Sequence, residues 1–192
     1  MNELYPIFLK VAELKVLIVG GGNVGLEKLG FLLKSSPSAQ VTVVAKVFCK
    51  ELVSLAGKHE VELILTAYKS DFLENKQIVI AATDDLEVNK TVYADCKRAN
   101  ILVNVADNPP YCDFYMGGIV TKGNLKIGIS TNGKSPTAAK RLRQFFEDFF
   151  PDNMNELLEN LNTYRKTLKG DFEQKVEKMN ALTKDMIQKG KE

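Results

Sequence analysis

The 192-residue chain has no tryptophan, one histidine and three cysteines. Cys49, Cys96 and Cys112 are odd in number, lie far apart and form no CxxC pair, which argues against a disulfide framework and a structural zinc site. Cysteine used in this way places the chain in a reducing, cytoplasmic compartment. His59 stands among charged residues ahead of an apolar run and is expected to be exposed. No apolar run approaches the ~18 residues of a bilayer span. The opening MNELYPIFLKVAEL has neither the basic stretch nor the small-residue cleavage site of a secretory leader. Neither sign of charge dominates: 26 Lys+Arg stand against 24 Asp+Glu, a formal net charge of +2. That balance removes the general electrostatic case for nucleic acid, and neither nucleic acid nor membrane is expected as a partner. With 45% hydrophobic and 26% charged residues the composition is that of an ordinary globular protein. A chain of this length buries roughly 70% of the surface that it exposes when unfolded.

What is present is an alternation. Lys15–Val19, Val41–Ala45, Val61–Thr66, Ile78–Thr83 and Ile101–Ala106 are short apolar runs, the form taken by strands buried on both faces. Between them lie helical patterns: one with Leu26, Leu29, Leu32 and Leu33, a mixed segment over 48–57, and one over 85–99 with Leu86, Val88, Val92 and Cys96. Strands alternating with helices predict βαβ units and an α/β fold with a doubly wound parallel sheet. Asn108-Pro109-Pro110 ends the alternation. Phe114–Thr121 and Leu125–Ser130 then read as two strands joined at Lys122-Gly123-Asn124, and Ser135-Pro136 opens a helix with Leu142, Phe145, Phe146 and Phe149 on its apolar face. Beyond Pro151, the stripes Met154/Leu157/Leu158/Leu161/Leu168 and Phe172/Val176/Met179/Met186 predict a helical hairpin over 152–189.

Four segments carry chemistry. Gly20-Gly-Gly22-Asn23-Val24-Gly25 is a GxGxxG set between a strand and a helix, the context in which glycines admit a pyrophosphate to a helix N-terminus. Gly20 would allow the tight turn, Gly22 the close approach of phosphate, and Gly25 the packing of helix on sheet. The acidic ribose ligand expected about 20 residues on is missing. Lys46-Val47 stands there instead, which leaves NAD and NADP both open. Thr83 and Asp84 end a central strand at the edge where ligands gather, and they serve equally as helix N-caps. Asp107 ends the next strand at the same edge, placed for proton transfer or simply for a turn before two prolines. Thr131, Lys134 and Ser135, with Lys140, Arg141 and Arg143 on the helix that follows, suit a ligand with several carboxylates or phosphates; a solvated basic helix face is the plainer alternative. Tyr93 and Lys97 have the YxxxK spacing of short-chain reductases, but they lie in the wrong helix. Cys112 is a weak candidate metal ligand.

In order, Tyr5-Pro-Ile-Phe8, Gly20–Gly25 with Lys28, Ala81–Asp85 with Asn89, Asn104–Asp107 and Ser130–Pro136 resemble the siroheme synthase, or precorrin-2 dehydrogenase, family. The resemblance covers residues 1–150 well and the tail loosely. It implies a Rossmann-type NAD-binding domain over 1–113, a small α+β dimerisation segment over 114–150 and a C-terminal helical domain over 151–192. It also implies a homodimer that oxidises precorrin-2 to sirohydrochlorin with NAD, some members also inserting ferrous iron. By the same resemblance Asp107 matches the catalytic aspartate, and Asn23, Val24, Lys46 and Val47 match nucleotide contacts. The chain departs from the family at Gly25, where alanine is common, at Glu27, where a second basic residue is common, and at Thr131, which stands where some members carry a regulatory serine. No methyltransferase half is seen, so methylation of the precursor is expected from another protein. A chelatase without dehydrogenase activity, a non-catalytic NAD(H)-binding regulatory module and a purely structural Rossmann-like protein are the alternatives.

Overall fold

The computed structural model describes residues 2–184. Seven strands and six α-helices are used below. They are β1 (Lys15–Val19), α1 (Asn23–Ser35), β2 (Gln40–Ala45), α2 (Lys50–Ala56), β3 (Val61–Leu65), β4 (Ile78–Ala81), α3 (Leu86–Ala99), β5 (Leu102–Val105), β6 (Gly118–Lys122), β7 (Leu125–Ile129), α4 (Pro136–Phe149), α5 (Met154–Thr167) and α6 (Phe172–Thr183).

The first five strands form one parallel sheet in the order β3-β2-β1-β4-β5. Alternate residues of each strand point to opposite faces, and both faces are covered. Val16, Ile18, Val41, Val43, Ile78 and Ile80 pack with Leu29 and Leu33 of α1 and Leu52 of α2. Leu17, Val19, Val44, Val79, Val103 and Val105 pack with Val92 and Cys96 of α3. Double coverage is why these strands read as unbroken apolar runs. From β1 the chain winds outward to β3, then returns to lay β4 on the other side of β1. The β1/β4 boundary is therefore the switch point, where a crevice opens at the carboxyl ends of the strands.

The described chain clusters into two compact units, Met1–Gly117 with Ser130–Pro136 and Gly118–Ile129 with the residues from Thr137 onward. In the second unit β6 and β7 pair antiparallel with Lys122 opposite Leu125, leaving a two-residue loop in which Gly123 has φ +57°. A positive φ at the first loop position is the geometry of a hairpin turn and is freely open to glycine. Strand pairing starts at Gly118, not at Phe114 as the apolar pattern predicts. Phe114 and Met116 instead pack onto the core of the first unit, so they are anchors and not strand residues. α5 and α6 follow one another in the tail as predicted, separated by a break at Gly170, which adopts φ +120°. Met186 lies outside the described residues. No described helix is long and apolar enough to cross a membrane.

Candidate functional site

A cavity of about 890 Å³ opens at the switch point of the first unit. Its floor is the turn after β1. Gly20 adopts φ +129°, and a side chain there would collide with the Ala82 carbonyl. The turn is pinned by Gly20 N–H donating to the Val44 carbonyl (2.9 Å) and Ala82 N–H donating to the Val19 carbonyl (2.8 Å). A side chain at Gly25 would strike the Gly20 carbonyl, so α1 can start this close to the sheet only with glycine there. Gly21 was not singled out from the sequence, since the motif leaves its position open. A side chain on it would hit the Val47 carbonyl and the Phe48 ring, and its own carbonyl accepts from Cys49 N–H at 2.8 Å. Gly22 differs from these three: a side chain on it would meet nothing within 4 Å. The space beside it adjoins the N-terminus of α1, where first-turn N–H groups have no helical acceptor. A pyrophosphate fits this cradle in size and charge, and the helix dipole favours it.

Of the predicted cofactor residues Gly20, Gly22, Asn23, Val24, Lys46, Val47, Thr83 and Asp84 line the cavity, and Gly25 lies outside its lining. The wall also holds Thr66, Ala67 and Tyr68 from the segment after β3, and Glu87, Val88 and Thr91 from α3. Sequence reasoning missed these because β3 and α3 meet only in the folded sheet. Tyr68 donates its hydroxyl to buried Asp95 at 3.1 Å. Burial, and then the Asp95 charge, hold its phenol well above the ordinary range, so it stays protonated.

Of the two capping candidates before α3, neither is the cap. Asp85 occupies that position and accepts from the N–H groups of Glu87 (2.9 Å) and Val88 (3.2 Å). Thr83 is held by Asn89, whose side-chain oxygen accepts from the Thr83 hydroxyl (2.7 Å) and N–H (3.2 Å) while its amide donates to the Thr83 carbonyl (2.9 Å). Asn89 is 4% exposed, so a buried amide spends its hydrogen-bonding capacity on shaping this loop.

Asp107 lies one strand further along the same carboxyl edge and is not among the residues lining the cavity. It is exposed and adopts φ +59°, left-handed backbone that Asp and Asn accept more readily than other side chains. Ala106 N–H ties its turn to β4 through the Ala81 carbonyl (2.9 Å). The six predicted substrate residues divide between the units: Thr131, Lys134 and Ser135 go with the sheet, and Lys140, Arg141 and Arg143 go with the helices. Asn132 and Gly133 both have positive φ, and the turn they form closes with Lys134 N–H donating to the Thr131 carbonyl (3.0 Å). Thr131 Oγ1 both donates to the Ser135 carbonyl (3.1 Å) and accepts from its N–H (3.2 Å). Arg143 is engaged by Glu147 one turn on, at 2.5 Å. Tyr93 packs its ring at a tilt against Tyr111 and Lys97 pairs with Asp113 at 2.7 Å, so the YxxxK spacing is structural. His59 is half-exposed, less than expected. Among the described residues no three His, Cys, Asp or Glu side chains gather to hold a metal ion.

A parallel five-stranded sheet with a glycine cradle at its switch point defines a dinucleotide-binding domain. The family model described as putative NAD(P)-binding matches residues 7–118, and the chain belongs to that family. A second model, described as the central part of a sirohaem biosynthesis protein, matches residues 122–148. The chain is 38% identical to the siroheme synthase of Psychrobacter arcticus over 172 residues, covering 90% of this chain and 30% of the relative. It is 38% identical to that of Pseudoalteromonas translucida, covering 88% and 36%. It is 34% identical to siroheme synthase 1 of Klebsiella pneumoniae, covering 87% and 35%. The chain thus spans about a third of the length of these curated relatives. A solved structure titled SirC, precorrin-2 dehydrogenase shares the fold, with a TM-score of 0.76 at 24% identity over 93% of this chain and 89% of that one. The resemblance to the siroheme synthase family is borne out, and NAD(P) is the cofactor class.

Proposed function

We propose that this chain catalyses NAD-dependent dehydrogenation of precorrin-2 to sirohydrochlorin in siroheme or cobalamin biosynthesis, as a cytoplasmic homodimer. In this reading residues 1–113 hold the cofactor, 114–150 dimerise and 151–192 form the helical domain. The observation that carries the proposal is the open cradle at Gly22 sharing one sheet edge with Asp107. Similarity to siroheme synthases over nearly the whole chain supports the choice of substrate.

The dinucleotide, when bound, supplies an acceptor for a hydride. The chain's own residues do the rest. Gly20, Gly22, Asn23, Val24 and Gly25 form the turn and helix start that hold the pyrophosphate. Lys46 and Val47 stand at the adenosine ribose in place of a carboxylate, and the choice of NAD over NADP follows the usual preference of the family that the chain resembles. Thr83 and Asp84 border the nicotinamide side. The oxidation removes a hydride and a proton from the macrocycle, and the Asp107 carboxylate would take the proton. Precorrin-2 carries eight carboxylates, for which Thr131, Lys134, Ser135, Lys140, Arg141 and Arg143 supply hydroxyls and cations. Where ferrous ion is a second substrate, the pyrrole nitrogens are its ligands and Asp107 receives their protons.

Precorrin-2 and NAD without metal should yield NADH and sirohydrochlorin, and ferrous ion added afterwards tests chelation separately. No NADH, with metal insertion intact, would leave a chelatase; neither activity, with NAD bound, would leave a regulatory module. Asp107→Asn removes the base with little change in shape. Turnover should fall at least ~100-fold, about 3 kcal/mol of barrier, with NAD affinity and melting temperature nearly unchanged. A folded variant that keeps more than about a tenth of wild-type turnover removes Asp107 from the chemistry.

A further inference from the structure

The turn that carries Asp107 adopts left-handed backbone and has few closures across its mouth. Its single backbone closure is Asn108 N–H donating to the Val105 carbonyl, at 3.2 Å. Asp enters left-handed backbone more readily than most side chains but less freely than glycine. Pro109 and Pro110 follow at once, and neither has an N–H to add a second closure. Within the turn the Asn108 side-chain amide adds a closure by donating to the Ala106 carbonyl (3.0 Å), and Ala106 N–H anchors one side to β4; the mouth between Val105 and Asn108 is left to groups outside the turn.

Cys112 is placed to close that mouth. Its Sγ lies 3.2 Å from the Val105 carbonyl and 3.4 Å from the Asn108 carbonyl, the two ends of the turn. One S–H proton shared between them clamps the turn across its mouth. The sulfur is fixed in its turn by Asn104, on rigid β5 and 6% exposed. The Asn104 amide donates one hydrogen to Sγ (3.4 Å) and the other to the Phe114 carbonyl (2.8 Å), so both are used. Burial raises the Cys112 pKa, which keeps the thiol protonated and able to donate. Asp113 completes the frame: its N–H donates to the Val103 carbonyl (2.8 Å), and its carboxylate accepts from Val103 N–H (3.1 Å).

We propose that Asn104 and Cys112 form a relay from β5 to the Asp107 turn, with Cys112 a positioning residue for the carboxylate; this rests on Asp107 being the base. A metal ligand or a redox thiol would need a different setting from a half-buried donor pointed at two carbonyls.

The test is turnover of precorrin-2 with NAD by Cys112→Ala and Cys112→Ser, each alone and combined with Asp107→Asn. Cys112→Ala should lower kcat about tenfold, less than the ~100-fold of a full ångström misplacement, because S–H is a weak donor. KM and NAD affinity should stay within about twofold, since the thiol is turned to the Val105 and Asn108 carbonyls and does not line the cavity. Cys112→Ser, whose hydroxyl reaches the same carbonyls, should return to within about threefold of wild type. In the Asp107→Asn background Cys112→Ala should have no further effect, because it acts only through that carboxylate. Should Cys112→Ala fail to fold, Cys112→Val fills the same space without a donor and is expected to show the same loss. Wild-type kcat in Cys112→Ala or Cys112→Val, with Asp107→Asn inactive, overturns the positioning role and leaves the base intact. A loss that persists unchanged in the Asp107→Asn background also overturns it. An active Asp107→Asn overturns the base, and the relay with it.

Discussion

The sheet and the helical part of this chain bury their apolar residues very differently. Four of the five residues of β1 are buried, and all four of β4. No residue of α4, α5 or α6 is buried, although α4 places Leu142, Phe145 and Phe149 on a single side. Phe145 is 58% exposed and Phe149 63%, in a row of rings that stack on one another. The sheet satisfies itself within one chain, whereas the helical part keeps an apolar face that a single copy leaves in water. Such a face points to an interaction surface, and under the proposed dimer it is where the second copy sits. The sequence pattern puts that surface on Phe114, Tyr115, Met116, Ile119 and Val120. The structure removes most of these, since Val120 is fully buried and Phe114 and Met116 pack on the sheet core.

Paired truncations break or confirm the contrast. Ile18→Ala empties a fully buried position on β1 and should destabilise the protein by about 2–5 kcal/mol. Phe145→Ala removes a mostly exposed ring and should cost well under about 1 kcal/mol in a lone copy. In a dimer closed by α4 the same change should lower the melting temperature more as protein concentration falls. Denaturant and thermal melts of both variants at two concentrations decide the matter. A concentration-independent, small effect of Phe145→Ala, with a monomer mass in light scattering, removes the dimer.

A second pair sharpens the comparison within the glycine loop itself, where one position serves binding and another serves folding. Gly22→Asp should leave the melting temperature near wild type, because its side chain enters open space. It should weaken NAD at least about tenfold by placing a carboxylate against the pyrophosphate. Gly21→Ala should do the reverse in kind, lowering stability through its clash with the Val47 carbonyl. Calorimetric NAD titration beside a thermal melt reads both. Wild-type affinity in Gly22→Asp would overturn the cradle.

What was legible in the sequence follows the same divide. Strands buried on both faces leave continuous apolar runs, so β1, β2, β4 and β5 and the helices between them could be read directly, whereas the edge strand β3, with no buried residue, was legible only from its place in the alternation. The glycine loop was legible because local geometry alone demands its residues: a positive φ at Gly20 and a helix start at Gly25. Gly21 was not, since the carbonyl that excludes its side chain comes from the loop after β2, 26 residues away in sequence at Val47. Tyr68 and Asp95 were invisible for the same reason, a contact between the β3 exit and α3 that no periodicity records. Phe114 and Met116 misled because alternation marks a strand and an anchoring segment alike.

The smallest expected effect lies in the second unit, at an ion pair on its surface. Lys122 at the end of β6 donates to Asp152 at 2.5 Å, joining the hairpin to the turn that precedes α5. The hydrogen bond from Lys122, reinforced by its charge, holds the Asp152 carboxyl below its ordinary value. A carboxyl whose pKa is lower when folded stabilises the fold above its unfolded pKa, near 3.9, and loses that contribution as pH falls through the folded value. The direction is therefore acid-sensitive, with no change between neutral and mildly alkaline pH. Asp152 is almost fully exposed, so solvent and salt screen the pair and it contributes little. Asp152→Asn should leave the melting temperature at neutral pH within a degree or two of wild type, a fraction of what Ile18→Ala loses. Its signature is in the slope: the variant's melting temperature should fall less steeply than wild type between about pH 5 and pH 3, and the difference should fade in about 1 M salt. Parallel acid slopes for the two proteins would show that the pair carries no stability. A drop at neutral pH as large as that of Ile18→Ala would mean that the helical unit depends on its polar rim as much as the sheet depends on its core.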